Sequence, residues 1–161
     1  MSPPSPSDRL AAVTPPWVHL LVAADDGPPM LPTPPPGVVV RVLDGRRCRT
    51  KQALLAEMAR GLGFPAHFGG TWDALEDCLT DLDWLPATGY RLVILAADRL
   101  LRQEPASYAT LVALLEDVGR AWGTGATGHA GRRPVPFHTV LVVPAHRRSA
   151  RADWGVAPLG H

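Results

Sequence analysis

Three short runs constrain the fold of this chain more than any other feature: Val38–Leu43 (VVVRVL), Arg91–Ala96 (RLVILA) and Phe137–Val143 (FHTVLVV). Each is a near-continuous apolar stretch rather than an alternating one. Strands of that kind are buried on both faces, as in parallel sheets covered by helices. The segments between them have helical period. Thr50 is placed to cap a helix over 51–62, in which Leu54, Leu55, Met58 and Leu62 form one apolar stripe. In Tyr108–Trp122, Leu111, Leu114, Leu115, Val118 and Trp122 share a face. Asp98 is placed to start a short helical turn that ends before Pro105. Strand-helix-helix-strand-helix-strand predicts an α/β fold: a small three-stranded parallel sheet packed with helices and joined by right-handed crossovers.

The ends of the chain read differently. Eleven of the eighteen prolines lie within the first 36 residues. Proline fixes φ and removes a backbone donor, so residues 1–16 and 24–37 are expected to be extended or disordered. Between them, 17–23 (WVHLLVA) reads as a short strand that joins the sheet as an extra edge. The expected organisation is a Pro-rich extension over 1–37, a domain over 38–144 and a flexible tail over 145–161.

Composition excludes several classes. A formal net charge of +1 gives no bulk attraction to nucleic acid or to a membrane. Two cysteines, Cys48 and Cys78, make no disulfide framework and read as buried free thiols. The apolar run 18–24 is too short to span a bilayer. Met1–Leu10 has no apolar core of the kind a secretory leader carries, so a cytoplasmic location is expected.

The charge is nevertheless uneven. Between His67 and Tyr90 stand five carboxylates, Asp73, Glu76, Asp77, Asp81 and Asp83, and no Lys or Arg. A helix over 71–82 with Thr71 as its cap separates them from the core side. Taking Trp72 as zero at about 100° per residue, Leu75, Leu79 and Leu82 fall at about 300°, 340° and 280°. Glu76, Asp73, Asp77 and Asp81 fall at about 40°, 100°, 140° and 180°. A plainer account exists for Asp73, since a first-turn acid stabilises the positive end of a helix by ~0.3–1 kcal/mol. It does not extend to Asp77 and Asp81, and Asp73–Asp77 is a repulsive i,i+4 pair. Gly69 and Gly70 leave room for close approach just before the helix. The segment reads as a surface built to meet something positive.

Phe64-Pro65, Phe68-Gly69, Trp72-Asp73-Ala74-Leu75 and Asp77-Cys78-Leu79-Thr80 resemble the barstar family of bacterial ribonuclease inhibitors, over roughly Val38 to Val143. The resemblance implies a three-stranded parallel sheet with helices, and an acidic helix that blocks the cationic active site of a barnase-like ribonuclease. It implies that Asp77 enters the nuclease site where RNA phosphate would sit, with Asp73 beside it. It further implies contacts from His67, Phe68, Gly69 and Gly70 and from Asp117 on the later helix. Glu76 and Asp81 complete the expected acidic surface. Thr71 stands where the family usually has Asn, and His67 where it often has an aromatic. Glu76 and Leu82 occupy positions that are tryptophan in a well-known member. The resemblance also implies a monomeric protein without catalytic residues or cofactor, whose partner is a basic, extracellular-type ribonuclease or a related toxin.

Two other readings stand beside this one: an acidic-helix interaction module for another basic protein or toxin, and a small hydrolase using Asp73 or His67. Two acids on one exposed helical face lack the enclosed cleft that carboxylate-pair hydrolysis needs. Gly123–Gly128 spells GxGxxG, but a helix precedes it and a strand follows, the reverse of a dinucleotide site. The six histidines have no metal-ligand spacing. Arg132, Arg133, Arg147, Arg148 and Arg151 read as a solvated loop and tail, without the aromatic interleaving of a nucleic-acid platform.

Overall fold

The computed structural model describes residues 2–25, 27–127 and 132–160. The elements in chain order are α1 (Pro6–Ala11), β1 (Val18–Ala23), β2 (Val38–Asp44), α2 (Lys51–Leu62), α3 (Trp72–Asp81), β3 (Gly89–Leu95), α4 (Ser107–Thr124), β4 (Phe137–Pro144) and β5 (Ala157–Pro158). The sheet has five strands, in the order β2-β3-β4-β1-β5, rather than the expected three, and every pairing is parallel. β1 is not an edge strand, because two residues of β5 pair with its outer side.

The extra strands follow from the apolar pattern. A parallel sheet must be covered on both faces. On one face α2, α3 and α4 bury Leu54, Leu55, Met58, Leu75, Leu79, Leu111, Leu115 and Trp122 against Tyr90, Leu92, Ile94, Phe137 and Leu141. On the other, Val93, Val140 and Val142 pack with Leu10 of α1, Leu159 near the C-terminus and Leu31 of the Pro-rich segment. The two ends of the chain supply this second layer. The described part of 1–16 is therefore not simply extended or disordered: α1 forms with Ser5 as N-cap and Asp8 closing a capping box. Of the expected flexible tail over 145–161, residues 145–160 pack: Trp154 is buried on the first face, against Tyr108 of α4, and the Leu159 N–H donates to the Leu20 carbonyl at 2.9 Å. Around Asp98 the chain makes successive turns over 97–103, which end before Pro105.

Polar groups are buried under the second layer. His138 Nε2 lies 2.8 Å from the Ala12 carbonyl, which can only accept, so that nitrogen carries the proton. His138 Nδ1 lies 2.8 Å from His19 Nε2 and accepts from it. Both rings are fully buried, and burial lowers both pKa values, that of His19 to about 3. Arg91, also buried, donates to the Pro32 carbonyl at 2.8 Å. The residues before β2 are thus pinned to the sheet at Ala12 and at Pro32.

Candidate functional site

The acidic helix is set by its cap and by its neighbour. The Thr71 hydroxyl accepts from the Ala74 N–H at 3.0 Å, fixing the start of α3. Before it, the Phe68 N–H donates to the Pro65 carbonyl at 3.0 Å, and the Phe68 ring meets Phe64 edge-on at 5.0 Å. Gly70 has φ 68°, a left-handed conformation that favours glycine. Gly69 has no such need: a Cβ there would make only an ordinary contact with Ala74. The loop holds His67 and Gly69 exposed and Phe68 half-buried at the entrance to the helix.

α3 and α4 pack side by side, and Leu75, Leu79 and Leu82 face the core as the periodicity requires. Between the helices lies an open groove of about 490 Å³ lined by Trp72, Asp73, Glu76, Ala109, Thr110, Ala113, Leu114 and Asp117. Its breadth comes from α4, where Ala109, Ala113 and Asp117 follow one another at i, i+4 and i+8 with two small side chains. That spacing is visible in the sequence, and it is the signal that could have located the groove. Burial, and then the charges of Asp117, Asp73 and Asp77, raise the Glu76 pKa above the usual carboxylate range. Four carboxylates therefore act on one region of surface.

Among the described residues, Asp73, Glu76 and Asp77 form no ion pair with Lys, Arg or His. Asp117 pairs with Arg120 at 2.9 Å, with both side chains exposed. Such a surface pair is worth ~0–1 kcal/mol, and an incoming cation can compete for it. Glu116, the neighbour of Asp117, is half-buried, and burial raises its carboxyl pKa. Asp81 does not join this group. It lies at the C-terminal end of α3, beside Asp83, which pairs with Arg132 at 2.9 Å. Leu82, on the core side as the helical period requires, is buried as the left-handed cap of α3.

Other sequence signals resolve into packing. Gly123 of the GxGxxG run sits on α4 under the Trp17 ring, which leaves no room for a Cβ, and Gly125 is the left-handed C-cap of that helix. Gly128 lies outside the described residues, as do His129 and His161. Cys48 is buried, whereas Cys78 is only half-buried. The arginines are not simply solvated. Arg132 is clamped onto α3, Arg147 pairs with Asp98 at 3.2 Å, and the Arg151 guanidinium stacks 3.6 Å over Tyr108. Among the described residues, no group of three or more His, Cys, Asp or Glu is placed to hold a metal ion. No described helix is long and apolar enough to cross a membrane.

The fold and this surface define a helix-covered parallel α/β protein that presents a concentrated acidic face. The family model described as "Barstar (barnase inhibitor)" matches residues 38–142, and the chain belongs to the barstar family. Members of that family are inhibitors rather than enzymes. No curated protein matches the chain.

Proposed function

We propose that this protein inhibits a barnase-like ribonuclease by placing α3 and the loop before it in the enzyme's cationic active site. The observation that carries the reading is the set Asp73, Glu76 and Asp77, three neighbouring carboxylates without a described cationic partner, closed on one side by Asp117. Such an arrangement costs folding energy through mutual repulsion and is offset when an external cation arrives. A ribonuclease cleft holds phosphate with cationic side chains, and a carboxylate can take the place of phosphate on an arginine through paired hydrogen bonds. In this reading Asp77 is the phosphate mimic, Asp73, Glu76 and Asp117 receive a long basic side chain in the groove, and His67, Phe68, Gly69 and Gly70 line the approach. Asp81 contributes to the long-range field. The layer of Leu10, Leu31 and Leu159 covers the opposite face of the sheet from α3 and α4 and has no part in the contact.

In the barnase–barstar complex, the family's own reference system, close charge pairs couple by about 1.5–7 kcal/mol. That magnitude belongs to that complex and sets the scale expected for Asp77. The experiment is a ribonuclease assay in which the purified protein is titrated against several basic, barnase-like enzymes. Stoichiometric loss of activity with at least one of them supports the reading. Capture of a basic protein that is not a nuclease, with no enzyme of the panel inhibited, favours an acidic-helix module of other specificity.

A further inference from the structure

The last turn of an α-helix leaves four carbonyls without intrahelical donors. In α3 those of Cys78, Leu79, Thr80 and Asp81 are all satisfied, three of them from outside the helix. The Leu82 N–H donates to Cys78 at 3.2 Å. The Trp122 indole N–H of α4 donates to Leu79 at 2.8 Å. The Arg132 guanidinium donates to Thr80 and to Asp81, each at 3.0 Å. The same guanidinium reaches Asp83 Oδ1 at 2.9 Å and the Thr127 hydroxyl at 3.2 Å, and it lies 4.2 Å over the Trp122 ring. α3 has no basic residue in its own last turn and ends on Leu82 at φ 50°. One planar side chain, 16% exposed, thus gathers the end of α3, the turn after it and the face of α4.

We propose that Arg132 is a positioning residue of the binding surface, fixing the tilt of α3 so that Asp73 and Asp77 are presented in one pose. The inference rests on the inhibitor reading above. Five donors in a rigid fork suit this task, whereas a lysine supplies one mobile point charge. The charge also acts along the helix. A cation at the C-terminal end complements the helix dipole and offsets the acidic charge at the Asp83 end. The Asp73–Asp77 end is left with its full negative field. Pre-organisation of this kind reduces the ordering that binding must impose, so it acts mainly on dissociation.

The test compares wild type with Arg132→Lys, which keeps the charge, and Arg132→Ala, which removes it. Four quantities are measured: the association rate and the dissociation rate with the inhibited nuclease, amide exchange of the last turn of α3 in the free protein, and melting temperature. Dissociation about tenfold faster for both variants, with association nearly unchanged and Leu82 amide exchange accelerated, is the expected result. Faster exchange with unaltered dissociation would make Arg132 a structural cap only. A change confined to association would assign it to charge steering. Either result overturns the proposal. A wild-type protein that inhibits no nuclease removes the inhibitor reading and the positioning role with it, and the exchange data then report separately whether Arg132 holds the helix end.

Discussion

Glu76 on α3 and Asp117 on α4 line the same groove, and burial together with the Asp117 charge holds the Glu76 carboxyl above its ordinary pKa. A raised carboxyl pKa means that the folded, free protein takes up a proton more readily than the unfolded chain. The Glu76 contribution is therefore most favourable at low pH and is lost as pH rises past the ordinary carboxylate value. A partner cation in the groove reverses this by favouring the ionised form. Binding should then weaken as pH falls through the raised Glu76 pKa, with proton uptake on dissociation. Glu76→Gln should flatten that part of the affinity–pH profile and slightly raise stability at neutral pH. Calorimetric titration in buffers of different ionisation enthalpy checks both.

Electrostatic steering gives a second expectation. The unpaired acids are exposed or half-buried, so their long-range field is screened by salt over ~8–10 Å at physiological ionic strength. Association with a basic nuclease should slow steeply between low and high salt while dissociation changes little. Stopped-flow kinetics across a salt series measure the two rates separately.

A third prediction concerns the buried pair His19 and His138. Burial holds both folded pKa values below the ordinary 6.5; the His138 ring and then Arg9 further disfavour protonation of His19, and Arg91 that of His138. A depressed folded pKa means that the stability is complete above the unfolded value and is lost as pH falls from about 6.5 toward about 3. His19 alone should contribute a loss of about 2 kcal/mol between pH 7 and pH 5. Denaturant unfolding at the two pH values tests this, and His19→Gln should show a shallower slope. A wild-type profile that is flat from pH 7 to 5 would contradict the assignment of neutral rings.

Gly123 and Gly119 of α4 carry the Trp17 ring, and a Cβ at either position would collide with it. An alanine gains up to about 1 kcal/mol of helix propensity, but overpacking a fully buried contact costs about 1–3 kcal/mol. The clash should prevail, since Trp17 is 2% exposed and its ring has little room to move. Gly123→Ala is expected to lower the melting temperature by several degrees, read by calorimetry. An unchanged or raised melting temperature would mean that the ring can shift.

The central strands and the acidic helix were legible because their signals are local. Val38–Leu43, the period of 108–122 and the Thr71 cap each announce an element within a few residues of sequence. The second layer was not legible. Leu10 sits in a helix of only six residues and Leu31 and Leu159 lie beside prolines, and only the need to cover a parallel sheet brings them to one face. β5 is two residues long, too short for any pattern. In the site, Asp73, Glu76 and Asp77 follow from helical period alone. Asp117 was placed by family resemblance, and the groove beside it is formed by the small residues Ala109 and Ala113. The Arg132 clamp reaches carbonyls 52 and 51 residues earlier in the chain, and backbone carbonyls carry no sequence signature.

The most direct measurement is the dissociation constant of Asp77→Ala for a nuclease inhibited by the wild type, taken together with its melting temperature. Asp77 is exposed and forms no described ion pair, so the substitution should leave stability within about 0.5 kcal/mol. Affinity should fall by several kcal/mol, on the scale of about 1.5–7 kcal/mol taken from the family's reference complex. Retained affinity, with or without a loss of stability, would contradict the claim that this helix stands in for phosphate in a cationic active site.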